Sequence, residues 1–465
     1  MIDVLFINPP HSFPANPDET LGKGGYALYP PAGVLNIAAA LKQAGFSAEV
    51  IDIVAAGQSL NSILDEITAR RPSIVGLTVT TPQLPGAVRL ATMIKERFGG
   101  DLSLCIGGPH ISADPDFFHR FPIFDFALTG EGEITFPELV KIIAAGERVS
   151  GVYQGQPVND LDTLPFPDRS LINREDYIIA PYGKDFVTVH PTRGCSFDCS
   201  FCSNPVGGRQ SRFRSPCNVV DEIEYCVNEY AVKHVLFTDD TFTLNMKRAA
   251  EICDELITRK FDVTWSCETR AGLVNHELLT LMHRAGCREI SFGVETGSEE
   301  LRTRVLHKKV SNAELASAFD LCHHLGIDAH AFCMLGFPGE TRGDMLRTLA
   351  FVKKIRPDVI GLHLTVLFPG SDLYKEALAE GMITADIWDK FARGEVTEQP
   401  VYVPDGFTKC SLEKMQKYIY WRYYYHPAYL LRRLFKDFSS FSRLRQDIRL
   451  GIGLLFSPRT KTGRP

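Results

Sequence analysis

Three cysteines, Cys195, Cys199 and Cys202, lie in the stretch Thr192-Arg193-Gly194-Cys195-Ser196-Phe197-Asp198-Cys199-Ser200-Phe201-Cys202-Ser203-Asn204-Pro205. Their C-x3-C-x2-C spacing fits one loop, from which three thiolates reach three irons of a cubane cluster while the fourth iron keeps an open position for chemistry. Zinc is the competing reading, but a structural zinc asks for four protein ligands, and no second close cysteine pair follows at finger spacing. A disulfide is weaker still. Three buried apolar cysteines would not require Gly194, the aromatic Phe201 before the last cysteine, or Asn204-Pro205 after it. The expectation is a [4Fe–4S] cluster with Cys195, Cys199 and Cys202 as its metal ligands.

This stretch resembles the cluster loop of radical S-adenosyl-L-methionine (radical SAM) enzymes. The resemblance implies that the methionyl amine and carboxylate of SAM chelate the open iron, and that reductive cleavage releases a 5′-deoxyadenosyl radical. It also implies a low-potential electron donor of ferredoxin or flavodoxin type. Asp239 and Asp240, in Phe237-Thr238-Asp239-Asp240-Thr241, stand where the family positions backbone and acids for the methionyl amine. An acidic N-cap for the next helix is the structural alternative. Glu295, in Gly293-Val294-Glu295-Thr296-Gly297, resembles the ribose-binding acid, and a carboxylate accepts from both ribose hydroxyls. Gly336, Pro338 and Gly339, in Gly336-Phe337-Pro338-Gly339-Glu340-Thr341, resemble the adenine-side motif, in which backbone groups read the base edge; Glu340 reads equally as a first-turn helix acid. Arg270 suits a bidentate contact to the SAM carboxylate or an ordinary surface ion pair. Cys217, Cys226, Cys253, Cys267, Cys287, Cys322 and Cys333 are scattered at helical or strand spacing and read as core residues.

The elements that must position these groups alternate strand and helix. In the first 150 residues, strands are expected at Asp3 to Asn8, Ala48 to Ile53, Ile74 to Val79, Leu102 to Ile106 and Phe124 to Leu128. Helices are expected at Ala32 to Ala44, closed by Gly45, and at about Leu60 to Arg70, Leu84 to Phe98 and Ile134 to Ala145. Five β-α units predict a doubly wound parallel sheet, α/β in class, whose ligands sit at the carboxyl ends of the strands. Those ends carry Asn8-Pro9-Pro10, Thr78-Val79-Thr80-Thr81-Pro82, Gly107-Gly108-Pro109-His110 and Gly130-Glu131-Gly132-Glu133. Small residues and hydroxyls there let backbone approach a bulky cofactor, although each glycine pair also serves as plain turn chemistry. Together they resemble the cobalamin-binding domain that precedes the radical SAM barrel in one large subgroup. That resemblance implies cobalamin contacts at Pro9, Thr80, Thr81, Gly107, Gly108, Gly130 and Glu131. One departure is clear: the D-x-H-x-x-G motif that supplies a histidine to cobalt is missing, and His11 stands at the wrong spacing. The expectation is base-off cobalamin, its nucleotide tail buried between strand ends and no histidine on cobalt. A domain that has lost cobalamin is the alternative.

Residues 150–185, with Leu164-Pro165-Phe166-Pro167-Asp168, read as a proline-stiffened linker between a cobalamin-binding domain over 1–149 and a radical SAM domain over 186–382. In the second domain, strands ending near His190, Asp239, Arg270, Thr296, Gly336 and Phe368 alternate with six helices. This predicts a partial (β/α)6 barrel, with chemistry at the C-terminal strand ends. Residues 383–465 form an extension whose aromatic and basic run, Trp421 to Leu434 and onward through Phe438, Phe441 and Arg449 to Phe456, caps the barrel, lies on anionic lipid or contacts an acidic partner.

With 465 residues, 45% hydrophobic and 23% charged, the chain has the composition of a soluble globular protein with room for two cores. Its net charge of −6 argues against nucleic acid as the main partner. That charge is uneven, +8 from Tyr418 to Pro465 and −14 elsewhere. Twelve cysteines without a secretory signal point to the reducing cytoplasm. By the resemblance, the activity is a cobalamin-dependent radical methylation of an unactivated carbon in a small-molecule substrate. Oxidative ring formation, as in the anaerobic tetrapyrrole cyclases, is the alternative enzyme, and a non-catalytic cobalamin or iron–sulfur sensor the alternative of another class.

Overall fold

The computed structural model describes residues 2–21, 28–179 and 181–437. Its first strand, Val4–Asn8, reads as a continuous apolar run because both faces are covered. Leu5 and Ile7 meet one core, built with the helices Leu60–Arg70 and Leu84–Phe98, and Val4 and Phe6 meet another, built with Ala32–Gln43 and Thr135–Ala144. Around it runs a parallel sheet in the order Ala48–Asp52, Val4–Asn8, Ile74–Thr78, Ser103–Gly107, Phe126–Thr129, Gly151–Gln154. The order reverses beside the first strand, and ligands of such folds bind in the crevice this reversal opens.

The sixth strand, Gly151–Gln154, falls in the stretch expected to be linker. It is a short edge strand, paired with Phe126–Thr129, whose side chains alternate between half-buried and exposed. Four residues of such low hydrophobicity carry too little periodicity to stand out in sequence. The stretch Pro109–Ala113 and Phe117–Arg120 likewise forms two short helices that were not anticipated.

The second sheet is parallel and strictly sequential: Phe186–Val189, His234–Phe237, Thr264–Thr269, Cys287–Glu295, Asp328–Leu335 and Val359–Leu364. Its helices begin at side-chain caps, with Ser215, Asn245, Asn275, Ser311, Thr341 and Ser371 each accepting from a backbone N–H of the first turn. The sheet does not close, so two edges need cover. On the first strand, Arg169 donates to the Thr188 carbonyl at 2.8 Å and Arg174 to that of Phe186 at 3.5 Å. On the last, tyrosines of the helix Lys409–Tyr424 replace a neighbouring strand. The Tyr424 hydroxyl accepts from Ile360 N–H at 2.9 Å and donates back to the Ile360 carbonyl at 3.4 Å. Tyr420 does the same at Leu362, at 2.9 and 3.2 Å. The aromatic extension therefore caps the barrel edge, while the part of it beyond residue 437, including Phe438, Phe441 and Arg449 to Phe456, lies outside the described residues.

Two devices join the halves. The helix Ile387–Ala392 returns to the N-terminal domain, burying Trp388 and Phe391 in its core, and Asp389 accepts from Arg120 at 2.7 Å. At the crevice, Glu131 takes Arg212 and Arg193 together, and Glu133 takes Arg193 at 2.6 Å.

Candidate functional site

The cysteine loop follows the first barrel strand and folds tightly on itself. Gly194 has a φ of +82°, and a side chain there would run into the carbonyls of Gln210 and Gly207. Cys195 N–H donates to Gly208 at 3.1 Å, and Cys202 N–H to Cys199 at 3.1 Å. Ser200, between the cysteines, anchors the loop by donating its hydroxyl to Val305 at 2.6 Å. Cys195, Cys199 and Cys202 then line one cavity of about 1140 Å³ at the C-terminal ends of the barrel strands.

The donor chemistry fits an iron–sulfur cluster. Although Cys202 opens onto the cavity, its thiol is pushed up to about 12, first by burial and then by Asp240, Cys199 and Cys195. Three thiolates this close need positive charge among them, which iron supplies. Among the described residues no three His, Cys, Asp or Glu side chains converge as they would on a single ion. Ligands that each take a different iron of a cubane stand farther apart.

Other expected residues gather around the same cavity. Arg270 donates to the Cys199 sulfur at 3.3 Å, and its guanidinium lies 3.7 Å from the Phe197 ring centre. Asp240 accepts from Asn204 at 2.6 Å, and burial raises its pKa. Glu295 is ion-paired with Lys308 at 2.7 Å, both buried against the cavity. Its φ of +62° coincides with a break in strand register between Gly293 and Glu295, and a side chain on Gly293 would occupy the place of that ion pair. Cys333 also reaches the cavity wall.

The stretch Gly336 to Thr341 is placed differently from the expectation. Gly336 N–H and Phe337 N–H both donate to one Glu340 oxygen, at 2.5 and 3.2 Å. Those amides are thus used inside the turn, and Pro338 lines a separate, shallow cavity beside Arg304 and Leu373. Cys217 also departs from the core reading: it is exposed at the start of the helix Pro216–Tyr230, within 3.5 Å of Arg259, whereas the other six scattered cysteines are buried.

A second cavity, of about 320 Å³, runs from the face of the N-terminal sheet to the barrel. Phe6, Gly76, Leu77, Cys105 and Leu128 form its apolar inner wall, and Thr78, Gly107, Gly108, Gly130 and Glu131 its rim. A side chain on Gly76 would meet the Phe6 ring at 2.9 Å, and one on Gly108 would meet Val79 N at 2.8 Å, so the close packing of this wall requires glycine at both positions. On the barrel side stand His190, Arg193, Thr238, Asp239 and Asp240. Asp239 is buried here, and burial pushes its carboxyl up to about 7 in spite of the neighbouring Thr192 hydroxyl and Arg248 charge. An apolar slot bordered on its barrel side by polar groups fits an amphipathic cofactor part such as the nucleotide tail of a corrinoid. Pro9, Thr80 and Thr81 lie behind the rim. Gln83 donates to the Pro9 carbonyl at 2.7 Å and accepts from Thr80 N–H at 2.9 Å, and the Thr81 hydroxyl pairs with His110 Nδ1 at 3.1 Å.

The two cavities share Asn204 and Asp240. Sequence reasoning missed Arg193, Arg212 and Lys308 as partners of the anticipated acids, and Phe197 as the platform for Arg270. Only the position of Arg193 and Phe197 inside the cysteine loop hinted at them.

Two family profiles match this chain: the radical SAM superfamily over residues 189–352 and the B12 binding domain over residues 25–140. The chain is a radical SAM protein with a B12 binding domain. An uncharacterized methyltransferase of Pyrococcus horikoshii is 28% identical over 88% of this radical SAM chain and 90% of its own. The anaerobic magnesium-protoporphyrin IX monomethyl ester cyclase of Rubrivivax gelatinosus is 29% identical over 93% of this chain and 79% of its own. Among solved structures, the radical SAM methyltransferase TsrM of Kitasatospora setae superposes with a TM-score of 0.64 at 20% identity, covering 81% of this chain and 74% of that one. The cobalamin-dependent radical enzyme OxsB superposes at 0.68, 19% identical, over 91% of this chain and 67% of that one. Both share the present fold of a doubly wound domain followed by an open barrel.

Proposed function

We propose that this protein is a cobalamin-dependent radical SAM enzyme that methylates an unactivated carbon of a small-molecule or lipid-like substrate. One observation carries the reading: the cysteine-lined cavity and the glycine-rimmed slot meet at Asn204 and Asp240, so groups bound in each face a common space. When bound, the cluster and SAM supply a 5′-deoxyadenosyl radical and cobalamin supplies the methyl group. Relatives include methyltransferases, a hopanoid C-2 methylase of Rhodopseudomonas palustris among them.

The chain's own residues place and shield these groups. Cys195, Cys199 and Cys202 hold the cluster. Asp240, fixed by Asn204, accepts from the SAM amine, and Glu295, held by Lys308, accepts from the ribose hydroxyls. Arg270, held over the Phe197 ring, presents its remaining N–H groups to the SAM carboxylate. Gly107, Gly108 and Gly130 let the corrinoid approach backbone, while Glu131 holds Arg193 and so ties the cysteine loop to that rim. The corresponding domains are the cobalamin-binding domain, which with its edge strand runs to Gln154 rather than to 149, and the radical SAM domain over 186–382, with a linker between and the extension from 383. A low-potential donor of ferredoxin or flavodoxin type provides the electron.

A second reading, ring formation, is favoured by the similarity to magnesium-protoporphyrin ester cyclases over most of the chain. The deciding experiment supplies SAM labelled on its methyl carbon, anaerobically, with reductant and substrate. Methylation yields 5′-deoxyadenosine, S-adenosylhomocysteine and labelled product. Altered but unlabelled product without S-adenosylhomocysteine replaces methylation with cyclisation, and absence of any 5′-deoxyadenosine leaves a sensor.

A further inference from the structure

The helix Lys409–Tyr424 gives one side to the barrel and leaves the other uncovered. Leu412, Met415, Ile419 and Tyr423 are buried, and Tyr420 and Tyr424 cap the strand edge. On the opposite side Lys414, Tyr418, Trp421 and Tyr425 recur at helical spacing and form one exposed stripe. Tyr418 is 43% exposed, Trp421 53% and Tyr425 45%, and Leu430 and Leu431 in the next helix, Pro427–Asp437, are 45% and 56%. No comparable concentration of large exposed apolar side chains occurs elsewhere among the described residues.

The charge along the stripe is positive, Glu413 before it facing the cysteine-lined cavity and Asp437 coming only at the end of the second helix. Between residues 414 and 436 the chain carries Lys414, Lys417, Arg422, Arg432, Arg433 and Lys436 and no Asp or Glu. Arg432 turns inward to the Pro357 carbonyl at 2.6 Å, and Arg433 lies beside Asp358. Lys414, Lys417 and Arg422 stay exposed next to the aromatic rings. The helix Arg342–Ile355 packs alongside and adds Leu346, 38% exposed. It also adds Lys353, whose ammonium pKa is lowered by burial and by the neighbouring Arg422 charge. Like charges left facing each other at a surface favour an anionic partner.

Amphipathic Trp and Tyr rings, a Leu pair and clustered cations are the combination that suits the headgroup layer of an anionic bilayer. No described helix is long and apolar enough to cross a membrane, so such contact is peripheral. The same helix reaches the cysteine-lined cavity through Lys409, Glu413 and Gln416. We propose that the outer face of Lys409–Tyr424 and Pro427–Asp437 docks on an anionic lipid surface, with Trp421, Tyr425 and Leu431 entering the headgroup region and Lys414, Lys417 and Arg422 meeting lipid phosphates. Docking there holds the cavity close to the lipid. This inference stands on the surface alone and does not depend on which reaction the cavity supports.

Flotation of the full chain with unilamellar vesicles tests it. Vesicles of phosphatidylcholine with about one-third phosphatidylglycerol are expected to carry the protein upward at low salt, and pure phosphatidylcholine vesicles are not. Reversing Lys414, Lys417 and Arg422 to Glu is expected to weaken partitioning about a hundred-fold or more. The separate variant Trp421→Ser, Tyr425→Ser, Leu431→Ser is expected to weaken it at least ~10-fold, since simple electrostatic adsorption does not need these side chains. Unchanged iron content and thermal unfolding in both variants show that the fold is intact. The proposal is overturned if the wild-type chain ignores phosphatidylglycerol vesicles, if the aromatic variant binds like wild type, or if the patch instead makes a Trp421-dependent dimer or captures an acidic protein with no vesicle binding.

Discussion

Arg270 and Cys199 are joined by an N–H···S hydrogen bond of 3.3 Å, with the same guanidinium lying over the Phe197 ring, 3.7 Å from its centre. A donor aimed at a cluster thiolate stabilises added negative charge and so raises the reduction potential. Arg270→Met is expected to keep the cluster yet shift its midpoint negative by on the order of tens of mV. Potentiometric titration followed by EPR measures this. An unchanged midpoint means that the hydrogen bond is lost once iron binds.

Changing Cys195, Cys199 or Cys202 singly to Ala is expected to abolish the brown iron–sulfur absorbance and all SAM cleavage. Cys217→Ala, at an exposed position away from both cavities, is expected to do neither. An intact, site-differentiated cluster in Cys199→Ala overturns the ligand assignment.

Among the described residues lining the glycine-rimmed slot the histidine is His190, which is half-buried, bonded to Thr238 at 3.0 Å and lowered to a pKa of about 4, mainly by desolvation. His11 lines neither cavity. The cob(II)alamin EPR spectrum is therefore expected to show no superhyperfine splitting from an axial nitrogen. A splitting that disappears in His190→Ala or His11→Ala shows that a histidine does bind cobalt.

Glu131 is buried between Arg193 and Arg212 and also accepts from Val158 N–H at 2.9 Å. Glu131→Gln leaves two arginines short of a counter-charge at the domain junction. Losing one partner of such a group costs about 3–5 kcal/mol. The expected outcome is a Tm lower by several degrees and faster proteolysis of the segment 156–185. A variant with wild-type Tm shows that solvent or a bound corrinoid replaces the carboxylate.

Asp239 has a folded pKa of about 7 against an ordinary 3.8, because burial favours its protonated form. Glu340 behaves alike, pushed by burial from 4.5 to about 7 despite accepting from two backbone N–H groups. Both pKa values are raised on folding. Their stabilising contribution is therefore complete below the unfolded values, near pH 4, and lost as pH rises through about 7. Asp239→Asn is expected to flatten the fall of Tm over this range and to raise Tm by a few degrees at about pH 8, measured by thermal unfolding in matched buffers. A wild-type slope in the variant assigns the pH dependence elsewhere.

The sequence by itself determined the three-cysteine loop, the α/β class and the succession of two parallel-sheet domains. Each of these is written in local spacing. Cys195, Cys199 and Cys202 converge within one loop, and buried parallel strands and capped helices impose their periods over a dozen residues or fewer. The tertiary structure decided which charges meet. Arg270 is 71 residues from Cys199, Arg212 is 81 from Glu131, and Tyr424 is 64 from Ile360. Such pairs depend on strand register and on how an open sheet covers its edges, which no local pattern encodes. The same holds for misplacements over short range. Glu340 claims the amides of Gly336 and Phe337 because the turn buries its carboxylate against them. Cys217 faces outward because it falls on the solvent side of its helix. Spacing names the residues able to do chemistry, while packing selects the partner each one faces.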